Sequence, residues 1–313
     1  MRVFVCETVT GGGLAGKALP ASLAAEGALM RDALIGDLED LPGVRVVTTH
    51  DARLPPPPRG ASAALGPRDN VRAAWTRLAT CADIAWPIAP ETGGELAALA
   101  TLMAAAGCRT IGPNLATLEV CISKLATAAA LRAAGIATVP TYRPDEVPAE
   151  LAGPFVLKPD DGAGCLDTVV VESLPDAPAG VVQPFIAGEP ASLVLLCRAD
   201  APPLVLSANR QLVERRDGRF AFRGVVVGAL PVTDELRALA ARVQTALPGL
   251  SGWVGLDYIA TQQGPIVLEV NPRLTTSYAG LRRALGINPL GLMTDFCKAS
   301  PPLPVTQPVE LRL

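Results

Sequence analysis

The sequence predicts an α/β lobe followed by an α+β region. Through residues 1–112 short apolar strands alternate with helical patterns, the signature of a parallel sheet with crossover helices. From residue 187 to 313 strand-like runs follow one another with one long helix among them, which predicts an antiparallel sheet. Residues 113–186 form a central lobe between the two, opened by Pro113 and an alanine-rich helix.

In the first lobe Arg2 to Glu7 is a strand, and Thr10-Gly-Gly-Gly-Leu-Ala-Gly-Lys17 follows it. Gly11, Gly13 and Gly16 satisfy G-x-G-x-x-G, and Gly11 to Lys17 nearly satisfies the P-loop pattern. The P-loop reading lacks its final hydroxyl, because Ala18 stands where Ser or Thr would hold a metal ion. The dinucleotide reading lacks an acid about 20 residues on, since Asp51 lies well beyond that distance. A plain glycine turn facing a cleft is the better expectation. A helix from Ala21 to Leu38 and a strand from Val44 to Thr49 come next, then the stiff run Leu54-Pro-Pro-Pro-Pro58, with His50 expected in a loop. A helix around Asn70 to Ala79, the strand Ile84 to Ile88, the turn Glu91-Thr-Gly-Gly94 and a helix from Glu95 to Ala106 complete the lobe near Ile111-Gly112. In such a lobe ligands gather at the strand C-termini, where Glu7, the glycine turn and Glu91 fall.

Composition narrows the function. Half of the residues are hydrophobic, enough to build cores, yet every long apolar run is broken before the ~18 residues of a membrane span. The start, Met-Arg-Val-Phe-Val-Cys-Glu, has no cleavage pattern, so a cytoplasmic chain is expected. Seven scattered cysteines without a C-x-x-C predict reduced thiols and no zinc site. One histidine leaves little material for triad chemistry. A net charge of −3, no basic run and 4% aromatic residues argue against a nucleic-acid surface and for small ligands.

The residues that carry chemistry lie further on. Ser123-Lys124 opens a helix closed by Gly135, and Ile136 to Tyr142 is extended. Pro154-Phe-Val-Leu-Lys158-Pro is a strand ending in lysine, and the loop that follows contains Gly162 and Gly164 before the strand Thr168 to Glu172. A lysine beside a glycine loop suits phosphate, because backbone N–H groups approach the oxygens that the ammonium neutralises; the alternative is a hairpin turn with a solvated lysine. Val181 to Ile186 is a strand broken at Pro184, and Ala187 to Pro190 turns out of it. Strands at Ser192–Cys197, Leu204–Val213 and Phe220–Val227 and a helix at Asp234–Ala246 lead to the hairpin formed by Gly252 to Ala260 and Ile266 to Asn271. If Ala260 pairs with Ile266, Asp257 faces Glu269, and Asn271 shares the face of Glu269. Two facing carboxylates and an amide suit a hard cation such as Mg²⁺, and Arg273 beside them suits phosphate oxygens. The alternative is a solvated acidic face. A short helix after Pro289 and a Pro-rich tail from Pro301 to Pro308 end the chain.

Lys124 before a helix, Lys158 with its glycine loop, the Gln183-Pro-Phe-Ile186 hinge with Glu189, and Asp257 with Glu269-Val-Asn271-Pro-Arg273 together resemble the ATP-grasp ligases. Asn271 to Tyr278 and the Thr10 to Gly13 start look most like the tyramine–glutamate ligase branch, which serves methanofuran and methylofuran synthesis.

The resemblance implies an ATP-grasp fold with a Rossmann-like N-terminal lobe and ATP between the central and C-terminal lobes. Lys124, Lys158, Gly162 and Gly164 would meet the phosphates, Gln183, Pro184 and Ile186 the adenine, and Glu189 the ribose. Asp257, Glu269 and Asn271 would hold Mg²⁺ or Mn²⁺. Arg273 would steady the transferred phosphoryl group, and Arg273 or Arg223 the free carboxylate of an acid substrate, with Glu7 or Glu91 for its amine. Tyr278 or Trp86 could wall an aromatic amine. The partners implied are a small-molecule acid and amine, L-glutamate with tyramine or tyrosine; a homodimer is one option, and the sequence does not give the oligomeric state. A ligase for another amino acid or peptide, a P-loop phosphotransferase using Lys17 and a non-catalytic nucleotide-binding module stand as alternatives.

Overall fold

The computed structural model describes residues 1–162, 164–297 and 302–313, so one residue of the glycine loop and the start of the expected Pro-rich tail lie outside the described residues. Strands β1 (Arg2–Glu7), β2 (Arg45–Asp51), β3 (Ala61–Leu65), β4 (Ile84–Ile88) and β5 (Arg109–Thr110) form a parallel sheet in the order β3-β2-β1-β4-β5. Helices α1 (Ala21–Glu39), α2 (Val71–Thr80) and α3 (Glu95–Ala105) cover it. Strand order reverses between β1 and β4, so Glu7 and Ile88, paired at their C-terminal ends, open the crevice where such sheets bind ligands. Strand β3 was not anticipated, because Ala61-Ser-Ala-Ala-Leu65 lacks β-branched residues; pairing with β2 supplies what propensity does not. His50 is not in a loop but on β2, its Nδ1 2.7 Å from Ser62 Oγ.

The first glycine run is a tight turn over Val9–Gly13. A Cβ on Gly13 would stand 2.6 Å from the Thr8 carbonyl oxygen, and Gly12 takes φ +101° against Leu65. These glycines answer to close packing rather than to a phosphate. Arg53, paired with buried Asp51 at 2.7 Å, donates to the carbonyls of Leu14 and Lys17 and pins the rest of the loop.

Helices α4 (Leu115–Ile122) and α5 (Lys124–Ala133) follow, where one helix was expected. Ser123, with ψ 118°, ends the first and caps the second by accepting from the Ala126 N–H at 3.0 Å. Strands β6 (Phe155–Lys158), β7 (Val169–Val171) and β8 (Val181–Pro184) make the central sheet. It joins the C-terminal strands β9 (Glu189–Arg198), β10 (Ala201–Arg216), β11 (Arg219–Leu230), β12 (Gly252–Thr261) and β13 (Gly264–Asn271) through one residue pair, Val169 with Arg219. The order is β13-β12-β9-β10-β11-β7-β6-β8. Helix α6 (Asp234–Ala246) stands where expected. Helix α7 (Tyr278–Leu285) and edge strand β14 (Val309–Arg312), which pairs with β11, were not anticipated.

One continuous core joins the N-terminal and C-terminal lobes, running from Val3, Val5 and Leu34 to Trp253, Tyr278 and Leu281. The opposite face of the C-terminal sheet packs on α6 through Leu193, Leu195, Leu256 and Val243. The central lobe's own cluster of buried residues is Phe155, Leu157 and Val182. Trp86 and Tyr278 belong to the first core and wall no slot: Trp86 stacks on Phe296, and Tyr278 packs edge-on to Trp253 while donating to Asp37 Oδ2 at 2.9 Å.

Candidate functional site

Strands β12 and β13 bring Asp257 opposite Glu269, by a register that differs from the expected one. Near the turn Ala260 pairs with Pro265, not Ile266, and Thr261 closes on Gly264. A bulge at Leu268 inserts one residue and restores the Asp257–Glu269 pairing. Asn271 pairs with Gly255 on the same face as Glu269 and donates from Nδ2 to Asp257 Oδ2 at 3.1 Å, which keeps its carbonyl oxygen for a cation. Gln211 on β10 donates to the other oxygen of Asp257 at 3.0 Å. Burial and the neighbouring Glu269 push the Asp257 carboxyl well above its usual range. Burial acts on Glu269 in the same sense, but the charges of Lys124 and Lys158 outweigh it and hold that carboxyl below its usual range. The donor set, two carboxylates and an amide oxygen, fits a hard divalent cation. Among the described residues no cluster of three or more His, Cys, Asp or Glu side chains offers another metal site.

Two lysines face this hairpin. Lys124 stands in the first turn of α5, its Nζ 3.4 Å from Glu269 Oε2 and donating to the carbonyl of Gly162. Asp160 fixes that turn by accepting the Lys124 and Leu125 N–H groups at 3.1 and 2.9 Å. Lys158 ends β6, and burial pushes its ammonium down to about 8. Both lysines line a cleft of about 820 Å³, its open mouth included, with Gly162, Gly164, Gln183, Pro184, Ile186 and Glu269. Val139, Val156, Phe185, Val213, Ile259 and Leu268 supply apolar walls that suit a flat base. Gln183 is buried and donates to Thr141 Oγ1 at 2.8 Å, which orients it in the wall.

Two candidates fall outside the cleft. Glu189 begins β9 rather than sitting in a turn, and its side chain points to solvent, 3.9 Å from Arg210. Arg223 lies exposed on β11 and pairs with Glu214 at 2.8 Å, so the fold spends its charge on a surface contact. Neither residue lines this cleft or its neighbour.

The neighbouring cleft, about 1150 Å³ with its open mouth, opens at the ends of β1 and β4. Glu7, Glu26, Lys17 and Arg273 line it together with apolar Val9, Leu14, Leu23 and Met30. Glu7 is buried, and its carboxylate accepts from the Val9 and Thr10 N–H groups at 3.0 and 2.6 Å, so it shapes the glycine turn from below. A Cβ on Gly27 of α1 would strike that carboxylate at 2.7 Å. Lys17 lines this second cleft and not the one that Lys124, Lys158 and Glu269 line, contrary to the P-loop reading. Arg273 and Glu91, considered separately from sequence, are partners here: Nε and Nη2 donate to the two carboxylate oxygens at 2.9 and 2.7 Å. Gly164 and Leu166 line both clefts, so the glycine loop forms the partition between them. Sequence reasoning missed Gln211, Asp160, Thr141 and Leu166. Nothing local marks the first three, whereas an exposed leucine inside a glycine loop is a signal that could have been read.

Residues 121–277 match the family model described as the ATP-grasp domain, and residues 44–117 that of the pre ATP-grasp 3 domain. Tyramine–L-glutamate ligase of Methanocaldococcus jannaschii is 27% identical over 204 residues, covering 64% of this chain and 58% of the relative. The enzyme of the same name from Methanocaldococcus fervens is also 27% identical, over 62% of its length. The alignments thus span about three fifths of the relatives' length. Among solved structures, an ATP-grasp superfamily protein from Archaeoglobus fulgidus superposes with TM-score 0.76 at 22% identity, over 100% of this chain and 92% of the other. L-amino acid ligase from Bacillus licheniformis superposes with TM-score 0.63 at 17% identity, over 97% and 74%.

Proposed function

The chain belongs to the ATP-grasp family, and on that footing we propose that it is an ATP-dependent carboxylate–amine ligase that releases ADP. The observation that carries the reading is the convergence of Lys124 and Lys158 on the Asp257–Glu269 pair, in a cleft bounded by a glycine loop and apolar walls. Cations and N–H groups on one side and carboxylates on the other suit a nucleoside triphosphate with a divalent ion between them. Asp257, Glu269 and Asn271 would hold Mg²⁺ or Mn²⁺, whose charge neutralises the β- and γ-phosphates. Lys124 and Lys158 bind the phosphates, the Gln183–Ile186 hinge takes the adenine, and the glycine loop covers the phosphates and excludes water. A substrate carboxylate attacks the γ-phosphorus and ADP leaves. An amine then attacks the acyl phosphate, inorganic phosphate leaves, and the amine's proton passes to solvent. Binding and orientation do the work. No side-chain nucleophile is needed.

For the substrates we propose L-glutamate, activated at its γ-carboxyl, and tyramine or tyrosine, in methylofuran-type cofactor synthesis. The relatives' activity supports this, and so does a second cleft that combines acidic Glu7 and Glu26 with apolar Leu14, Leu23 and Met30. Purified protein with Mg-ATP, L-glutamate and each amine should yield ADP and a γ-glutamyl amide, read by mass spectrometry. Hydroxylamine in place of the amine should yield the hydroxamate. AMP as product overturns the acyl phosphate, turnover only with other acids overturns the substrates, and tight ATP binding without turnover across an acid and amine panel favours a non-catalytic module.

A further inference from the structure

The Glu91-Thr-Gly-Gly94 turn does more than end β4. Glu91 is 4% exposed, and its carboxylate grips Arg273 at two points, while the third guanidinium nitrogen, Nη1, donates to the Leu274 carbonyl at 3.0 Å. Arg273 is thereby held in one orientation between the second cleft, which it lines, and Glu269, whose charge it feels. A planar guanidinium gripped on one edge has a defined opposite edge, unlike a freely rotating lysine. The next residues of the turn reach the other way. Gly93 N–H donates to Asp161 Oδ2 at 2.8 Å and Thr92 Oγ1 to the Asp161 carbonyl at 3.2 Å, at the root of the glycine loop. Gly93 and Gly94 have φ +67° and +69° with open space around them, so the backbone conformation, not crowding, calls for glycine.

We propose that Glu91 is a positioning residue, which aims Arg273 at the transferred phosphoryl group while its own turn tethers the phosphate-covering loop through Asp161. This rests on the ligase reading but is tested by equilibrium binding, so the two can fail separately. Mg-ADP and a non-hydrolysable Mg-ATP analogue are titrated into the wild-type protein, Glu91→Gln and the charge-swapped double variant Glu91→Arg/Arg273→Glu. In Glu91→Gln the analogue should bind about tenfold or more weakly, the worth of one charge-assisted hydrogen bond, while Mg-ADP affinity stays within about twofold. The swapped pair should not recover analogue affinity, because a guanidinium at position 91 is rooted on the wrong lobe. Unchanged analogue affinity in Glu91→Gln, equal weakening of both nucleotides, or recovery in the swap would show a merely structural ion pair and overturn the proposal. If Glu91→Gln does not fold, Glu91→Asp, which keeps the charge but draws it back by one methylene, replaces it under the same criteria: selective loss of the analogue supports the proposal, and full affinity overturns it. Wild-type protein that discriminates the analogue from ADP yet turns over no acid–amine pair would sink the ligase reading alone.

Discussion

The two walls of the cleft that holds Lys124, Lys158 and Glu269 are built differently. The wall that carries Asp257 and Glu269 is part of a sheet with core on both faces: Trp253 and Val194 pack toward the N-terminal lobe, Leu256 and Val254 toward α6. The wall that carries Lys158, Gln183 and the glycine loop has a three-residue core and one residue pair to the rest of the sheet. Buried contacts set how often a region opens, so the carboxylates stand on a fixed platform and the glycine loop on a part with low local stability. A site that must fix charge to a fraction of an ångström yet admit a large ligand gains from that division.

The largest expected effect breaks the platform's chemistry without breaking the platform. Glu269→Gln should lower turnover on the order of 10²–10³-fold, because one carboxylate cannot hold the cation in the same geometry. Relief of the repulsion with Asp257 offsets the loss of the Lys124 contact, so the protein should stay folded. Mg²⁺-dependent ADP release together with a melting curve checks both halves. Full activity in this variant would remove the pair from the cation site.

Truncating each wall sharpens the comparison. Leu256→Ala, in the platform, should destabilise the whole protein by about 2–5 kcal/mol. Leu157→Ala takes away a third of the central lobe's buried trio and should speed amide exchange in β6 to β8 with little change in β9 to β13. Exchange that rises equally in both regions for both variants would mean that the walls are one cooperative unit.

The same division governed what the sequence could disclose. The platform was legible because its signals are local and repeated: apolar, β-prone runs, the helix at Asp234–Ala246, and Glu269 and Asn271 two residues apart. Its turn was misplaced by one residue, since Gly264-Pro265 looked like part of a longer connection, and the bulge at Leu268 happened to restore the carboxylate register. Pairings set by distant partners were not legible. The Arg273–Glu91 grip joins strand ends on two lobes, β3 exists through β2, and β14 forms only because β11 offers an edge. The hairpin of β10 and β11 did carry a readable mark, Asp217-Gly218, both with positive φ, the preferred pair for a two-residue turn.

Lys158 gives the central-lobe wall a pH signature. Burial lowers its ammonium to about 8 before any phosphate arrives, and a phosphate would favour the charged form. Below that value the lysine is charged and binding needs no proton uptake. Above it each binding event must draw a proton from solvent. Affinity for ADP without metal should therefore fall as pH rises through about 8, by up to about tenfold per unit. Lys158→Met should bind weakly and lose the part of this dependence that the lysine carries, leaving only what the raised carboxyl of Asp257 contributes, while Lys17→Met, in the other cleft, should keep it in full. Calorimetric titrations on either side of that pH decide the matter. An affinity that is flat in the parent protein would place the titrating group elsewhere.

The smallest expected effect is at Arg223. It sits on β11, between the two walls in sheet order, and sequence alone made it a candidate for the acid substrate's free carboxylate. Its guanidinium instead meets Glu214 at 2.8 Å, with both side chains more than half exposed. Exposed pairs of this kind contribute about 0–1 kcal/mol, screened further by salt. Arg223→Gln should therefore leave ADP release and its KM for the acid within about twofold and stability within about 0.5 kcal/mol of the parent. A tenfold rise in the KM for the acid, with ATP's KM unchanged, would show that β11 swings toward the second cleft when substrates bind and that the wall is not as the free protein presents it.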